Sequence, residues 1–575
     1  MAGSIQISNN VAQAVESSAK ELSAQVTPAQ VTPAQVTPED LAKSDLWIFR
    51  EGRREFSGPS FLRELERSLS ARNALLDCLI QAGELESALS DTNHCGASAA
   101  VALTDVLADR LCSGNLDSGD LEGLARGIAV PERVSISPPE GFTYYALHPL
   151  DFAKAVEQIA NQAHAFAMVG IRSIGTTLSA VAAAALKRLG KKTSRITVRP
   201  QGHPYARNTK FSLAERAWIA QLQSEQAHFL IVDEGPGRSG STFLSVAEAL
   251  VREGVHRAWI SIIGSRNFDP RSLCAQDASD RWSNYRFISA PSTLTRRFTG
   301  YTYLGGGDWR QYFCDGEQTW PESWTQMERF KVLSPDKREF LKFEGMGRIG
   351  KEARERAFIL AKTGISPAVS DVGDGFLSYQ ALEGRHLRTQ DLNARVLENV
   401  ARYCAFRVAE FTSSNSSNPD LEQMLVHNVQ EEFGRQLRLE PGQLRAPRAV
   451  LVDGRMQPHE WIAADGKVMK TDAISHGDNH FFPGPCGIAW DLVGAIVEWN
   501  LGAASTEFLL SRFRQFSGMD ISSDLGPYML AYSVFRLGFC KMARSTVLGT
   551  NEEQRLESAY RHYRVRTAKL LETFA

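Results

Sequence analysis

Two adjacent acids followed by small hydroxyl residues form the pattern in this sequence that most clearly suggests chemistry. Asp233 and Glu234 come directly after the apolar run Phe229–Val232, and a Gly/Ser-rich turn then leads into a helix-like run. The turn offers backbone N–H groups and hydroxyls at Ser239, Gly240, Ser241 and Thr242. Such groups at a helix N-terminus favour a phosphate, whereas the acids would repel it and suit ribose hydroxyls. The pattern predicts a site for a phosphorylated sugar, with an ordinary turn at Pro236 and Gly237 as the alternative.

This stretch resembles the PRPP-binding motif of the type I phosphoribosyltransferases. In that motif an apolar strand, two acids, a short turn and Thr/Ser-Gly-x-Thr/Ser follow one another, as do Ile231–Glu234 and Ser239–Thr242 here. The resemblance implies that Asp233 and Glu234 contact ribose hydroxyls and that the turn binds the 5-phosphate. Arg238 adds a further candidate phosphate contact. The turn is not a Walker loop, because no G-K-[ST] follows it.

An earlier loop, within Val169–Val181, occupies the place that the same resemblance gives to the pyrophosphate-binding loop. Arg172 would supply a positive charge, and Ser173 belongs to the same expected set. Gly175 would allow the backbone to approach an anion closely because it has no side chain. The pair Thr176–Thr177 is expected to cap the helix that follows.

Between these two loops, the segment Val198–Arg207 contains three basic residues. Arg199, His203 and Arg207 are expected to stabilise the charge that develops on a departing pyrophosphate. His203 has an ordinary loop histidine as its alternative interpretation. The expected catalytic set is therefore Asp233, Glu234, Arg199, His203 and Arg207.

The surrounding pattern explains how these loops would meet. Strand-like runs alternate with helix-like runs at Ala165–Gly170, Leu178–Leu189, Arg195–Val198, His228–Val232, Phe243–Arg252 and Arg257–Ile263. This alternation predicts a doubly wound, mostly parallel α/β sheet. In such sheets ligands bind beyond the carboxyl ends of the strands, which is where the loops lie.

The C-terminal half carries a second resemblance. The stretches Phe340–Val369 and Tyr379–Leu387 are similar to the N-lobe of aminoglycoside and choline kinase-like phosphotransferases. The resemblance implies that Lys342 contacts nucleotide phosphates, that Glu352 or Glu355 is its helix partner, and that residues 380–384 form the hinge. A generic strand–helix–strand unit is the alternative.

The segment Gly484–Trp499 resembles the G-D-P-x-x-D-L-A segment of the same family, and two alignments of the catalytic loop are open upstream of it. In the first, Val452–Ile462 is the catalytic loop and Asp472 binds the metal. This alignment puts Arg455 in the place of the catalytic Asp and Glu460 in the place of the Asn.

The second alignment takes His476-Gly477-Asp478-Asn479-His480 as the catalytic motif, but it leaves no metal-binding Asp at the usual distance. Phosphoryl transfer needs metal ligands and a positioning acid together. Both an active two-lobed α+β kinase domain and a remodelled, inactive one therefore stay open. A divalent metal bound by Asp472, His476, Asp478 and His480 is a further alternative.

Length and composition set the frame for these sites. A chain of 575 residues corresponds to about three to four domains. The sequence predicts a leader at 1–44 that carries three AQVTP repeats, a helical region at 45–143, a phosphoribosyltransferase-like domain at 144–300, a connector at 301–335 and a kinase-like domain at 336–575. The leader is interpreted as an extended linker, with a docking motif as the alternative.

The net charge of -2 argues against a protein built to bind nucleic acid. Scattered cysteines and the lack of a secretory signal or a long apolar run predict a cytoplasmic protein without a membrane span, and leave homo-oligomerisation open.

The leading hypothesis is a PRPP-dependent phosphoribosyltransferase for an unidentified small-molecule acceptor, fused to a kinase-like domain. Mg²⁺ is the expected cofactor, PRPP the substrate, and ATP the phosphoryl donor if the second domain is active. The alternative is a regulatory protein that binds a nucleotide or PRPP without turnover and has a pseudokinase output domain.

Overall fold

The computed structural model describes residues 53–573, apart from 71–73, 115–120, 204, 238, 414–417, 441, 447, 465, 475, 478 and 480. The predicted leader at 1–44 lies outside the described residues. The same holds for two predicted site residues, Arg238 and Asp478.

The first part of the described chain is a helical layer with a short ribbon. Its elements are β1 (Arg54–Ser57), α1 (Gly58–Leu69), α2 (Leu75–Asp91), α3 (Ala97–Ser113), α4 (Leu121–Arg126) and β2 (Arg133–Ile136). The Ser57 side chain caps α1, whose apolar residues Phe61 and Leu65 are buried at the spacing of one helix face. Strands β1 and β2 pair antiparallel, which corrects the prediction of a purely helical region. Four-residue strands are too short to show a period in the sequence.

A parallel sheet follows. Its elements are α5 (Glu140–Thr143), α6 (Leu150–Glu157), β3 (Ala165–Ile171), α7 (Ile174–Arg188), β4 (Lys192–Val198), α8 (Leu213–Ser224), β5 (His228–Val232), α9 (Ser241–Arg252), β6 (Ile260–Gly264), α10 (Ala278–Trp282), β7 (Arg286–Ser289) and α11 (Thr293–Arg297). The strand order is β4-β3-β5-β6-β7, and all four pairings are parallel. The predicted parallel sheet is confirmed, whereas its assignment to the phosphoribosyltransferases stays a prediction. Strand β4 is added on one side of β3, and β5, β6 and β7 are added on the other side. The point between β3 and β5 is therefore the topological switch point, where α/β sheets form ligand crevices.

Helices cover both faces of this sheet. On one face Phe166 and Met168 of β3 pack with Leu178 of α7. On the other face Val169 of β3 packs in a cluster with Leu244 of α9. Because both faces are covered, the fully buried strands β3, β5 and β6 are mainly apolar runs, which is why the sequence pattern revealed them.

An antiparallel sheet comes next. Its elements are β8 (Thr302–Tyr303), α12 (Trp309–Phe313), β9 (Lys331–Leu333), β10 (Glu339–Phe343), α13 (Gly347–Thr363), β11 (Val369–Gly373) and β12 (Phe376–Gln380). The strand order is β11-β12-β10-β9-β8. The predicted connector at 301–335 therefore contributes two strands to this sheet, which corrects the expectation of a linker. Strands of two and three residues leave no periodic signal.

The last part is mainly helical. Its elements are β13 (Arg385–His386), α14 (Ala394–Glu410), α15 (Pro419–Phe433), β14 (Trp461–Ala464), β15 (Lys467–Lys470), α16 (Ala489–Glu498), α17 (Ala503–Ser517), α18 (Leu525–Arg544) and α19 (Asn551–Thr573). One core of buried aromatic and aliphatic side chains, including Trp461 and Trp490, joins these helices to the β13–β15 ribbon. Within the described chain, no helix has both the length and the apolar character that a membrane span needs.

The parallel sheet and the antiparallel sheet share one core. Phe142 of α5 belongs to the same buried cluster as Phe343 of β10 and Phe376 of β12. A polar contact joins the antiparallel sheet region to the helical layer as well. The backbone N–H of Gly347, at the start of α13, donates to Asp77 of α2 at 2.7 Å. The two halves are thus packed together at their apolar faces.

Candidate functional site

The structure brings the two predicted phosphate loops together at the carboxyl edge of the parallel sheet. Asp233 and Glu234 follow β5, and Gly175, at the start of α7, lies against them. A Cβ on Gly175 would lie 2.5 Å from the carbonyl oxygen of Val232 and 3.1 Å from Asp233 Oδ1. Only glycine fits at position 175, because the backbone of this loop lies directly against the backbone of the loop that follows β5. We call this region the sheet-edge site.

Burial raises the pKa of Asp233 to about 8 and that of Glu234 to about 8. The nearby carboxylate of Glu140 adds to both shifts, and burial raises the pKa of Glu140 itself. Because Asp233 and Glu234 favour their neutral form, they can donate as well as accept hydrogen bonds near neutral pH. Glu140 lies on the one-turn helix α5, and no motif in the sequence marks it as a site residue.

The Ser-Gly-Ser turn has the backbone shape that the sequence predicts for a phosphate cradle. Gly240 has a φ of +68° and precedes α9, which begins at Ser241. The Ser241 backbone N–H donates to Ser239 Oγ at 3.2 Å. Thr242 lies in the first turn of α9. Three of the four predicted cradle residues thus form a compact turn at a helix start.

The predicted pyrophosphate arginines converge on a carboxylate that the motifs did not reveal. Asp91, at the end of α2, accepts from Arg199 Nη2 at 2.7 Å and from Arg172 Nη1 at 3.2 Å. Arg172 also donates to the carbonyl oxygen of Thr197 at 2.9 Å. Asp91 of the helical layer therefore pairs with both arginines, and its single negative charge offsets only part of their positive charge. A single Asp at the end of a helix gives no short-range signal of such a role.

Two further predicted catalytic residues make contacts within their own loop. His203 Nδ1 accepts from the backbone N–H of Tyr205 at 3.3 Å, which matches the ordinary loop interpretation. Arg207 donates to the carbonyl oxygen of Gly202 at 2.5 Å. Burial lowers the pKa of Arg207, and the charge of Arg199 lowers it further. Arg207 is therefore close enough to Arg199 for the two positive charges to interact.

The expected helix caps at Thr176 and Thr177 are wrong. Helix α7 begins at Ile174 without a side-chain cap, and both threonines are buried inside it. Thr176 Oγ1 instead lies 2.8 Å from Ser87 Oγ of α2. Ser173 precedes the helix at a φ of +100°, and its backbone N–H donates to the same Ser87 hydroxyl. Helix α2 thus packs directly onto the predicted pyrophosphate loop.

A second candidate site lies in a cleft between the antiparallel sheet and the helical part. The cleft encloses a cavity of about 190 Å³ with lining residues from both sides. Lys342 of β10 enters it, contacts the Asp472 carboxylate, and lies 3.2 Å from Glu344 Oε1. Lys342 lies on a strand, as predicted, whereas its contact with nucleotide phosphates stays a prediction.

The expected helix partner of Lys342 is corrected. Glu355 is exposed on α13, and Glu352 pairs with Arg348 at 2.9 Å. The partner is instead Glu344, two residues further along the chain from Lys342. Alternate residues of a strand share a face, so this carboxylate reaches the lysine without help from the helix. The sequence search looked for a helical acid and missed it.

Three residues of the cleft bring together the donor atoms that a divalent cation needs. One ligand atom each from Glu460, Asp472 and His476 lies within 4.8 Å of the others. The β14–β15 hairpin causes this meeting, because Glu460 precedes β14 and Asp472 follows β15. The two carboxylates suit Mg²⁺ or Mn²⁺, and the imidazole adds a nitrogen donor of the kind that transition metals bind. The predicted metal ligand Asp472 therefore meets Glu460, as in the first of the two alignments.

Buried lysines balance these acids. Burial alone would raise the pKa of Asp472, but the charges of Lys342 and His476 outweigh it and hold this pKa well below its usual value. Lys470 Nζ lies 3.2 Å from Glu460 Oε2 and 3.3 Å from an oxygen of Asp453. The Asp472 carboxylate is therefore ionised at neutral pH, which is the form that binds a cation.

The loop before β14 is held from below by Asp491. The backbone N–H groups of Asp453 and Gly454 donate to the Asp491 carboxylate at 2.8 and 3.0 Å. The backbone N–H of Arg455 donates to Asp453 Oδ1 at 3.0 Å. The Arg455 guanidinium lies 5.3 Å from the ring centre of Phe539 and lines the cavity. The segment that resembles G-D-P-x-x-D-L-A thus positions the predicted catalytic loop.

The connection between β8 and β9 forms one wall of the cleft. Trp309 stacks on His459 with ring centres 5.8 Å apart, and its Nε1 donates to Glu328 at 3.0 Å. Glu322 of the same connection pairs with Arg536 of α18 at 2.6 Å. This wall was not foreseen, because the segment was interpreted as a connector.

No family model matches the chain, and no curated protein matches it. Solved structures of kinases match part of it. The choline kinase LicA from Streptococcus pneumoniae is 12% identical, with a TM-score of 0.29, over 41% of this chain and 89% of that one. A choline/ethanolamine kinase family protein from Mesorhizobium loti is 11% identical, with a TM-score of 0.30, over 43% and 89%. A glucosamine kinase is 14% identical, with a TM-score of 0.32, over 43% and 76%.

Proposed function

We propose that the cleft binds a nucleoside triphosphate with a divalent cation and transfers its terminal phosphoryl group to a small molecule. One observation carries this proposal: Lys342 and the donor atoms of Glu460, Asp472 and His476 converge in one enclosed cavity. A cation and a buried ammonium group together are the chemistry that a transferring phosphoryl group requires.

Each residue has a defined task in this proposal. Glu460, Asp472 and His476 would hold the cation, which when bound would neutralise part of the phosphate charge. Lys342 would contact a phosphate oxygen, and it would exchange its present ion pair with Asp472 for that contact. Asp491 positions the loop on which Arg455 is presented. Enclosure by the wall at Trp309 would keep water away from the reacting phosphorus.

The test is binding of ATP and Mg²⁺, measured by isothermal titration calorimetry on the full chain. We expect binding to require Mg²⁺, and D472N and E460Q to weaken it at least tenfold, because each variant removes one anionic ligand. E355Q is the matched control, since Glu355 is exposed and does not contact Lys342. ATP binding that is equal in D472N and the wild type would rule out the proposed cation site.

A second candidate function is phosphoribosyl transfer from PRPP at the sheet-edge site. The observation that favours it is the meeting of the Asp233–Glu234 acids, the Gly175 loop and the Ser239–Ser241 turn at the switch point of a parallel sheet. The acids would bind ribose, and the turn would bind the 5-phosphate. Arg172 and Arg199 would face the leaving pyrophosphate after exchanging Asp91 for it.

The test of this second function is release of pyrophosphate from PRPP in a screen of small-molecule acceptors. We expect the double variant D233N/E234Q to lose this release, because it removes the two carboxyl groups that would hold the ribose hydroxyls. E225Q is a suitable control, since Glu225 lies on the surface and pairs with Lys192. PRPP binding without any release would instead favour the regulatory alternative, in which the protein senses the nucleotide without turnover.

A further inference from the structure

The charges that line the cleft are paired, with one exception. Among the described residues, the five acids that line the cavity each have a basic partner within 4.0 Å. The pairs are Glu322–Arg536, Glu328–Lys331, Glu344–Lys342, Glu460–Lys470 and Asp472–Lys342. Arg329 also has a carboxylate, Glu344, at 3.7 Å. Of the lysines and arginines of the described chain that line the cavity, Arg455 alone lacks a carboxylate within that distance.

The place of Arg455 makes this exception informative. It stands five residues before Glu460, on the loop that Asp491 holds, and it lines the same cavity as the three cation-ligand candidates. The Phe539 ring lies 5.3 Å from its guanidinium and leaves the N–H donors of the guanidinium for another group. A guanidinium in such a setting binds phosphate or carboxylate oxygens in pairs.

A kinase with a hydroxyl acceptor needs a group that accepts the hydroxyl proton, and the resembling family uses an acid at this position. An arginine cannot accept a proton. A phosphate monoester or a carboxylate presents an oxygen that is already deprotonated near neutral pH, so it needs no base. It does need a positive charge to bring it beside another phosphate.

We infer that the cleft uses an acceptor whose attacking atom is an anionic oxygen of a phosphate monoester or a carboxylate, and that Arg455 binds this group. The inference rests on the proposed phosphotransfer in the cleft. In the reaction, the acceptor oxygen forms a bond to the terminal phosphorus of the nucleoside triphosphate. The bond between that phosphorus and the bridging oxygen breaks, and its electron pair leaves with the nucleoside diphosphate. No proton moves in this step.

The charge balance of the cavity agrees with such an acceptor. A divalent cation held by Glu460, Asp472 and His476 would add two positive charges to a cavity whose acids are already paired. The nucleotide phosphates would compensate them together with Lys342. Arg455 would then be left to compensate the additional negative charge that an anionic acceptor brings. A neutral or cationic acceptor would leave this guanidinium without an anionic partner within 4.0 Å among the described residues.

The experiment uses pairs of acceptors that differ only in the anionic group. Ribose 5-phosphate is compared with ribose, and propionate with 1-propanol, each with ATP and Mg²⁺ and the full-length protein. Phosphorus NMR distinguishes a phosphoanhydride or acyl phosphate from a phosphate ester. We expect transfer only to an anionic member of a pair, with the anhydride type of product. The two pairs separate a phosphate acceptor from a carboxylate acceptor.

The variant R455Q tests the residue itself. We expect it to lower transfer at least about 100-fold, the size of effect seen when one charge-stabilising donor is removed from an active site. Binding of inorganic phosphate to the nucleotide-free protein, measured by calorimetry, should weaken at least tenfold in R455Q. R561Q is the matched control, because Arg561 is exposed on α19 and pairs with Glu557 outside the cleft. It should leave both measurements unchanged.

The outcomes separate the two proposals. The inference would be overturned by transfer to ribose or 1-propanol, by a phosphate ester as the product, or by no transfer to any anionic acceptor. Equal binding of inorganic phosphate in R455Q and the wild type would also overturn it. Loss of hydroxyl phosphorylation in H459A would then identify His459, whose neutral imidazole also lines the cavity, as a base. Failure of ATP to bind at all would overturn the proposed function and with it the transfer step, whereas phosphate binding through Arg455 would still be measured independently.

Discussion

The sheet-edge site and the cleft balance their charges in opposite ways. At the sheet edge, two arginines that face a predicted anion site share one aspartate from a distant helix. In the cleft, the acids are paired with cations, and one arginine is left without a carboxylate within 4.0 Å among the described residues. In both sites the decisive partner comes from outside the motif that drew attention to the site. The difference teaches that a local motif defines a backbone shape, while its counter-charges come from the whole fold.

The largest expected effect comes from the buried ion pairs of Arg407, which stabilise the loop at the base of the cleft. Arg407 of α14 lies 3.9 Å from Asp453 and 3.8 Å from Asp491 and is fully buried with both. We expect R407M to lower the free energy of unfolding of this half by about 3–5 kcal/mol, because it leaves the buried Asp491 carboxylate without its cation and leaves Asp453 with Lys470 alone. Chemical denaturation followed by tryptophan fluorescence measures this change.

The control for this change is R402M, since Arg402 lies on the same helix but is mostly exposed. R407M should abolish ATP binding and leave PRPP binding at the sheet edge intact. Equal loss of ATP binding and PRPP binding in R407M would show that the stability of the sheet-edge site depends on the same buried residues as the cleft.

The acids of the two sites should also respond to pH with opposite slopes. Asp233 and Glu234 have pKa values raised to about 8, so the folded state binds more protons than the unfolded state between about pH 4 and 8. Stability should therefore fall as pH rises through this window, by at most about 1.4 kcal/mol per pH unit for each carboxyl. Asp472 has a lowered pKa, so its contribution is present above about pH 4 and is lost as pH falls.

The measurement is unfolding at pH 5, 6, 7 and 8 for the wild type and for D233N/E234Q. The double variant should gain stability relative to the wild type as pH rises. A constant difference across these pH values would contradict the raised pKa values.

A smaller effect is expected from a variant that tests the contact between the Gly175 loop and the end of β5 at the sheet edge. We expect G175A to lower stability by about 2 kcal/mol, because its Cβ would lie 2.5 Å from the carbonyl oxygen of Val232. It should also weaken PRPP binding without changing ATP binding. G502A is the control, since a Cβ on Gly502 meets no atom within 4 Å. A shift in melting temperature no larger than that of G502A would show that the loops can separate at little cost.

The smallest expected effect tests the shared aspartate directly. D91N should strengthen binding of pyrophosphate at the sheet edge about tenfold, because Arg172 and Arg199 no longer have an anionic partner to exchange. Calorimetry with pyrophosphate measures it. D105N, which removes a partly exposed partner of Arg195, serves as the control. Weaker pyrophosphate binding in D91N would mean that Asp91 positions the arginines instead of competing for them.

Some parts of the fold were predictable and others were not. Strands β3, β5 and β6 of the parallel sheet were found because burial on both faces makes them mainly apolar runs of five to seven residues. Of the polar strand β4 only the last four residues were predicted, and the four-residue strand β7 was missed. The short strands β1, β2, β8 and β9 were missed, since two to four residues cannot show a period. The site shows the same division. Asp472 and Lys342 were identified from their motif contexts, whereas Glu344, Glu140 and Asp91 were not, because none of them stands in a pattern.

The sequence by itself determined the alternation of strands and helices, the acid pair before a small-residue turn, and the exchange of an expected acid for Arg455. These features depend on neighbours within a few residues, which a linear pattern can express. Only the tertiary structure decided that Asp91 lies between the two arginines, that Glu460, Asp472 and His476 meet, and that Arg455 faces the cavity without a carboxylate within 4.0 Å among the described residues. Electrostatic pairing acts through space across a few ångströms, and it joins residues as far apart in the chain as Glu322 and Arg536, which are separated by 214 positions.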